Sequence, residues 1–310
     1  MSKPFLTIEE QVGLLTSRGL IVDSETDRLL MREGYYSIIN GYKDPFLDAQ
    51  LSRSSGDDRY AKGTSFSNIY ELYSFDRQLR ELTFHYLIRA EATIRTAVSH
   101  SFSQAHRSSE DYLLQQNYCT VDEFAAYGMD AGKYASEVSL LTALLGKCAR
   151  KSKAEFIVHY RDVYGAVPLW VLCNDLTFGN LEHFFNLMKP QEKKDVAKMI
   201  ALSTRELNAP NPGFLEVNDM RTHLEVLVKF RNICAHDERL YCAKVGGRKD
   251  VNYLKMTWML EHYLTHSEFM EYLKDLLGLI STGVNDASIG HVLSGLGYRE
   301  FNAQLQKRLR

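Results

Sequence analysis

The sequence predicts an all-α protein, and three observations carry that expectation. Only six prolines occur in 310 residues, which leaves room for long helices, because an interior proline removes a helix hydrogen bond and clashes with the preceding turn. Apolar residues recur at spacings of three and four over long stretches, which places them on one helix face. Runs that alternate apolar and polar residues, as a half-buried strand requires, are scarce.

Taken in order, Thr7-Ile8-Glu9-Glu10 fits a capping box, and Arg18-Gly19 supplies the stop after a helix that reaches about Ser17. Asp23 or Ser24 opens a second helix that ends near Gly34. The aromatics Tyr35, Tyr36 and Phe46 are expected to pack on the next helices, with base stacking as the alternative. Leu51 to Lys62, rich in Ser, Gly and Asp, reads as a loop. Phe66 to about Ala105 is the longest helical signal and is expected to be broken once. Inside it Asp76, Arg77, Arg80, Glu91 and Arg95 stand among apolar neighbours, and Glu91 precedes Arg95 by the four residues that suit an intrahelical ion pair.

Residues 106–136 are polar and interrupted. Leu140, Leu141, Leu144 and Leu145 then mark a helix running into Lys147, Arg150, Lys151 and Lys153, the best basic cluster of the chain. Such a cluster is either a solvated helix end or a track for phosphates. Pro168 suits the first position of a short helix, and Thr177 to Gly179 mark a break before another. Asn208 to Gly213, with two prolines, precedes a helix read from about Asn218 onward. A turn at Gly246-Gly247, helices over Tyr253–Leu264 and Phe269–Leu279, and one amphipathic helix at the end of the tail complete the set. The domain reading is an N-terminal helical region over 1–62, a helical core over 63–265 and a C-terminal helical extension over 266–310.

Composition narrows the function. A hydrophobic content of 45% and a charged content of 25% are those of an ordinary globular protein. A net charge of -2 argues against a broadly basic nucleic-acid surface, so any RNA contact must use local patches. The five cysteines lack C-x-x-C spacing, which points to reduced thiols in the cytoplasm and to no zinc or other metal site. No run of 18 apolar residues and no signal-peptide core is present, so no membrane association is expected. No P-loop, G-x-S-x-G or H-E-x-x-H pattern occurs, and no cofactor is expected.

The chemistry concentrates in Arg231-Asn232-Ile233-Cys234-Ala235-His236, at the end of a helix whose apolar stripe runs through Met220, Leu224, Leu227, Phe230 and Cys234. Cleavage of RNA through the ribose 2′-hydroxyl needs a proton carrier near neutral pH, which histidine supplies. It also needs a fixed cation where negative charge builds on phosphorus, which a guanidinium supplies. Asn232 and His236, four apart, share a face, so the amide can orient the imidazole. Five positions put Arg231 and His236 roughly 140° apart on a helix, so they converge only if the arginine bends round or a second copy of the motif faces the first. Chance gives about 0.6 Arg-x4-His matches in such a chain, yet Arg80/His85, Arg95/His100 and Arg231/His236 all match. The plainer reading pairs Arg231 with Asp237 or Glu238 and leaves His236 as a helix-end cation favoured by the macrodipole.

An ordered set of blocks resembles a known family. The blocks are Leu6–Gln11 with Ser17–Leu20, Tyr35-Tyr36 with Gly41-Tyr42 and Pro45-Phe46, and Leu72–Arg80. Glu91–Thr96, Pro168–Trp170, Leu176–Gly179 and Arg231–His236 follow in order. This set is similar to the Abi-like proteins of bacterial abortive infection, the AbiD/AbiF group. The resemblance implies a HEPN-like helical bundle with additional N- and C-terminal helices. In it the Arg-x4-His helix end forms a metal-independent ribonuclease site, and two such motifs meet, commonly across a dimer; in the similar RNA-targeting CRISPR effectors both lie in one chain. It makes Arg231, Asn232 and His236 the catalytic candidates; the echoed spacing, rather than the resemblance, offers Arg95 and His100, with Glu91, as a candidate second half-site. RNA is the expected partner, contacted by Arg77, Arg80, Lys147, Arg150, Lys151 and Lys153. Some relatives are associated with a small structured non-coding RNA, and a homodimer is expected. The rival expectations are a catalytically silent RNA-binding adaptor or sensor and a purely structural helical scaffold.

Overall fold

The computed structural model describes residues 4–246 and 250–310, so the Gly247 half of the expected Gly246-Gly247 turn lies outside the described residues. The described chain is all-α but for one antiparallel pair, β1 (Lys244–Val245) with β2 (Val251–Asn252). Its helices are α1 (Ile8–Ser17), α2 (Thr26–Glu33), α3 (Ala49–Ser55), α4 (Phe66–Ala105), α5 (Val121–Ala126), α6 (Tyr134–Lys151), α7 (Glu155–Tyr164) and α8 (Leu169–Leu172). There follow α9 (Phe178–Leu187), α10 (Pro190–Ser203), α11 (Val217–Ala235), α12 (Tyr253–Met259), α13 (His266–Asn285), α14 (Gly290–Gly295) and α15 (Tyr298–Arg308).

Local chemistry explains most boundaries. The Thr7 hydroxyl accepts from the Glu10 N–H while the Glu10 carboxylate accepts from the Thr7 N–H, the expected capping box of α1. Asp23 receives the N–H groups of Glu25 and Thr26 at the start of α2, which ends at Gly34 with φ +83°. Thr177 caps α9 in a box with Asn180. Pro168 stands one place ahead of α8, as its cap.

Three sequence expectations need correction. The segment read as a loop from Leu51 contains most of α3, because Asp48 caps it through the N–H groups of Gln50 and Leu51 and Gly56 closes it in the left-handed region. The stretch from Phe66 to Ala105 is one unbroken helix of 40 residues. It contains neither glycine nor proline, and its buried positions step by three or four from Phe66 through Ile69, Leu72, Asp76, Leu79, Thr83, Leu87, Ala90, Ile94, Val98 and Phe102. Nothing in that stretch interrupts the 3.6 period. Of the aromatics expected to pack, Phe46 is buried but Tyr36 is exposed.

The chain divides into two compact units, both discontinuous in sequence, which differs from the three consecutive regions expected. The first unit holds the described residues up to Leu82, with Asp237–Ala243 and Leu273–Arg310. Its centre is the Asp76 carboxylate, fully buried, which accepts from the Tyr42 hydroxyl at 2.7 Å, the Arg80 guanidinium at 2.8 Å, and the N–H groups of Leu240 at 3.0 Å and Tyr241 at 2.6 Å. Burial pushes this carboxyl up, and the Arg80 charge and the other donors oppose that. With four donors and none of its own required, the ionised carboxylate is the form that fits. At Gly283 a Cβ would stand 2.7 Å from the Phe75 ring, so only glycine lets α13 approach that ring.

The second unit holds Thr83–His236 and the described residues of Lys244–Tyr272. Helix α11 contacts α9, α10 and α12, and α9 also contacts α6. Leu224, Leu227 and Phe230 of α11 are fully buried, as the sequence stripe requires, while Cys234 is only half-buried near the helix end. Phe102, Tyr118 and Phe184 form an aromatic cluster with ring centroids 5.0–5.8 Å apart.

Candidate functional site

The candidate site lies in the second unit, where α4 and the end of α11 supply it. Glu91 on α4 is 5% exposed, and a buried carboxylate must be paired. Its Oε1 accepts from Nη2 of Arg95 at 2.5 Å, one turn along the same helix. Its Oε2 accepts from Nε of Arg231, on α11, at 3.2 Å. The two arginines that open the Arg95/His100 and Arg231/His236 patterns therefore share one anion. Two guanidinium charges against one carboxylate leave an excess of positive charge, and each arginine side chain is about a quarter exposed, 24% for Arg95 and 27% for Arg231. The Arg231 guanidinium also lies over the Phe84 ring, 5.8 Å from its centroid.

Arg231 is thus paired with Glu91 rather than with Asp237 or Glu238, the partners weighed from the sequence. Asp237 is instead paired with Arg80 in the first unit. The expected intrahelical pair of Glu91 with Arg95 is present and is one arm of the larger arrangement.

Asn232 and His236 are exposed at the end of α11. His236 is the residue that closes the helix: its N–H donates to the Asn232 carbonyl at 2.9 Å, with φ −102° and ψ 14°. Asp237 follows at φ +57°, a left-handed backbone uncommon outside glycine. Among the described residues no side-chain hydrogen bond joins Asn232 to His236, so the amide does not orient the imidazole in this conformation. His100 is exposed on α4, five residues beyond Arg95.

The residues predicted to contact RNA divide sharply. Lys147, Arg150, Lys151 and Lys153 are exposed at and after the end of α6. The Arg161 guanidinium donates to the carbonyls of Ala149, Arg150 and Ser152, so this helix end is capped by another residue and the four cations remain solvated. Arg80, by contrast, is 3% exposed and spent on Asp76, Tyr42 and Asp237, so an RNA-contacting role for it is corrected to a structural one. Arg77 is 32% exposed, and both ends of its guanidinium donate to Glu33, holding that carboxyl below its usual range. The third Arg-x4-His match, Arg80/His85, is therefore anchored in structure at its arginine.

Sequence reading missed three side chains beside this site. Trp170, 52% exposed, Asn174 and Arg107 border a groove of about 570 Å³ together with Arg95 and His100. A hint lay in the polar positions Thr96, Ser99, His100, Ser103 and Gln104, which recur at three and four on α4 and so form one hydrophilic stripe. Cys173 is no nucleophile: burial pushes its thiol up to about 12, against the pull of the Arg95 charge. Among the described residues no group of three or more His, Cys, Asp or Glu side chains is arranged to hold a metal ion, and no helix is long and apolar enough to cross a membrane.

No curated protein sequence and no solved structure matches the chain. One family pattern does, described as Abi-like protein, and it covers residues 28–242. That span includes Glu91, Arg95, Trp170, Arg231, Asn232 and His236, while the blocks at Leu6–Gln11 and Ser17–Leu20 precede it. Since the match extends over more than half of the chain, the protein belongs to the Abi-like family.

Proposed function

We propose that this Abi-like protein serves bacterial abortive infection as a HEPN-type endoribonuclease that needs no metal. The ribose 2′-hydroxyl attacks the adjacent phosphorus, the P–O5′ bond breaks, and the products are a 2′,3′-cyclic phosphate and a 5′-hydroxyl. His236 removes the proton of the 2′-hydroxyl or supplies one to the departing 5′-oxygen. Arg231 stabilises the charge that builds on the phosphoryl oxygens, and Asn232 hydrogen-bonds substrate or imidazole once RNA is bound. The observation that carries the reading is the Glu91 carboxylate, which holds the arginines of two Arg-x4-His patterns together with excess positive charge and partial exposure.

That arrangement supports a composite site in one chain, with Arg95 and His100 as the second half. The exposed Asn232 and His236 support the alternative, a homodimer in which two Arg231/His236 ends meet. A mixed dimer of one intact and one Arg231→Ala chain separates the two: it keeps about half of the activity if each chain is self-sufficient and almost none if both must contribute. Lys147, Arg150, Lys151 and Lys153 are the exposed cations for guiding RNA, including a small structured non-coding RNA that restrains the enzyme.

His236→Ala is expected to fold normally, by circular dichroism, and to cut RNA at least about 100-fold more slowly in EDTA. Full-rate cleavage by that variant would overturn the assignment. Copurified RNA without turnover under any condition would instead favour the adaptor reading.

A further inference from the structure

We propose that the groove bordered by Arg95, His100, Arg107, Trp170 and Asn174 is a binding subsite for one unpaired nucleotide of a single-stranded RNA. The inference rests on the ribonuclease reading only for the choice of RNA over DNA. The groove encloses about 570 Å³, within the roughly 300–1,000 Å³ of clefts that take small ligands.

Its chemistry is that of an anion site with a stacking surface. Two arginines and a histidine border it, and among the described residues no carboxylate does. This stands out in a chain whose net charge is -2. Trp170 is 52% exposed although tryptophan is among the largest apolar side chains. It is held from one side by Tyr160, whose ring meets it edge-on at 5.4 Å, and Tyr160 is in turn packed against Tyr164 at 5.2 Å. A braced aromatic with an open surface costs little entropy to use and stacks any base, but only a base that is not already paired. The Asn174 amide nitrogen donates to the carbonyls of Trp170 and Val171, which leaves its oxygen as an acceptor for an exocyclic amine or a ribose hydroxyl. Arg95 ties the groove to the Glu91 arrangement, because it borders the groove and shares the Glu91 carboxylate with Arg231.

The test is fluorescence anisotropy of a labelled, single-stranded 2′-O-methyl oligonucleotide, whose blocked 2′-hydroxyl prevents cleavage, on the full chain. Trp170→Ala is expected to weaken binding about tenfold and Trp170→Phe to restore most of it. Arg107→Gln is expected to lower the slope of log affinity against log salt by about one. Parent-like affinity and salt slope in Trp170→Ala and Arg107→Gln would overturn the proposal, as would equal competition by an RNA duplex. Trp170-dependent binding by a chain that never cleaves RNA would leave the groove standing and sink the ribonuclease. Cleavage and binding both indifferent to Trp170→Ala would do the reverse.

Discussion

Glu91 is the side chain on which the candidate site depends. Removing it leaves Arg95 and Arg231 close together without their common anion, whereas removing Arg231 leaves Glu91 still paired with Arg95. Glu91→Ala is therefore expected to lower stability by about 3 kcal/mol, the scale of breaking a buried ion pair from its buried side. Arg231→Ala, whose side chain is 27% exposed, is expected to cost only about 1 kcal/mol. Urea unfolding of the two variants checks the order, and a larger loss for Arg231→Ala would show that Glu91 is not the organising group. Arg80 teaches the converse at the same scale. Its spacing to His85 matches the motif, but three partners around a 3%-exposed guanidinium fix it in the Asp76 cluster.

At the scale of the element, α4 is decisive, because one uninterrupted helix supplies Asp76 and Arg80 to the first unit and Glu91, Arg95 and His100 to the second. Continuity can be probed at Ala92, which is exposed and lies deep inside α4. Ala92→Gly is expected to cost about 1 kcal/mol and Ala92→Pro about 3 kcal/mol or more. Thermal unfolding measures both, and a chain indifferent to Pro at 92 would have a break there. The end of α11 matters differently. His236 closes the helix and Asp237 continues at φ +57°, so the imidazole leaves the helical ladder where the backbone changes direction.

For the molecule as a whole, acid sensitivity is written into a half-buried histidine of the second unit. Burial, with help from the neighbouring His262, holds the His223 imidazole down at about 4, against 6.5 for the free side chain. Between those values the unfolded chain binds a proton that the folded chain refuses. Stability is thus complete above about pH 6.5 and falls as the pH drops toward 4, by roughly 2–3 kcal/mol from this group. His223→Gln should flatten that limb in urea unfolding measured between those pH values; an unchanged limb would assign the acid loss to other groups.

The sequence by itself determined the helical class, the cap at Thr7, the break before α9 at Thr177, the apolar stripe of α11 and the intrahelical step from Glu91 to Arg95. Each is a matter of near neighbours along the chain, where a 3.6-residue period and a few capping hydrogen bonds act. It also made Arg231 and His236 stand out, because few side-chain pairs offer a proton carrier beside a fixed cation. Only the tertiary structure decided that Arg231 turns to Glu91, 140 residues away, instead of to Asp237. It likewise decided that Arg80 is buried while Lys147 and its neighbours stay exposed, and that Trp170 stands beside Arg95. A long charged side chain can reach several partners, and which one it takes is set by the burial of the partner: the Glu91 carboxylate, removed from water, must be paired, and the exposed acids after His236 need not be.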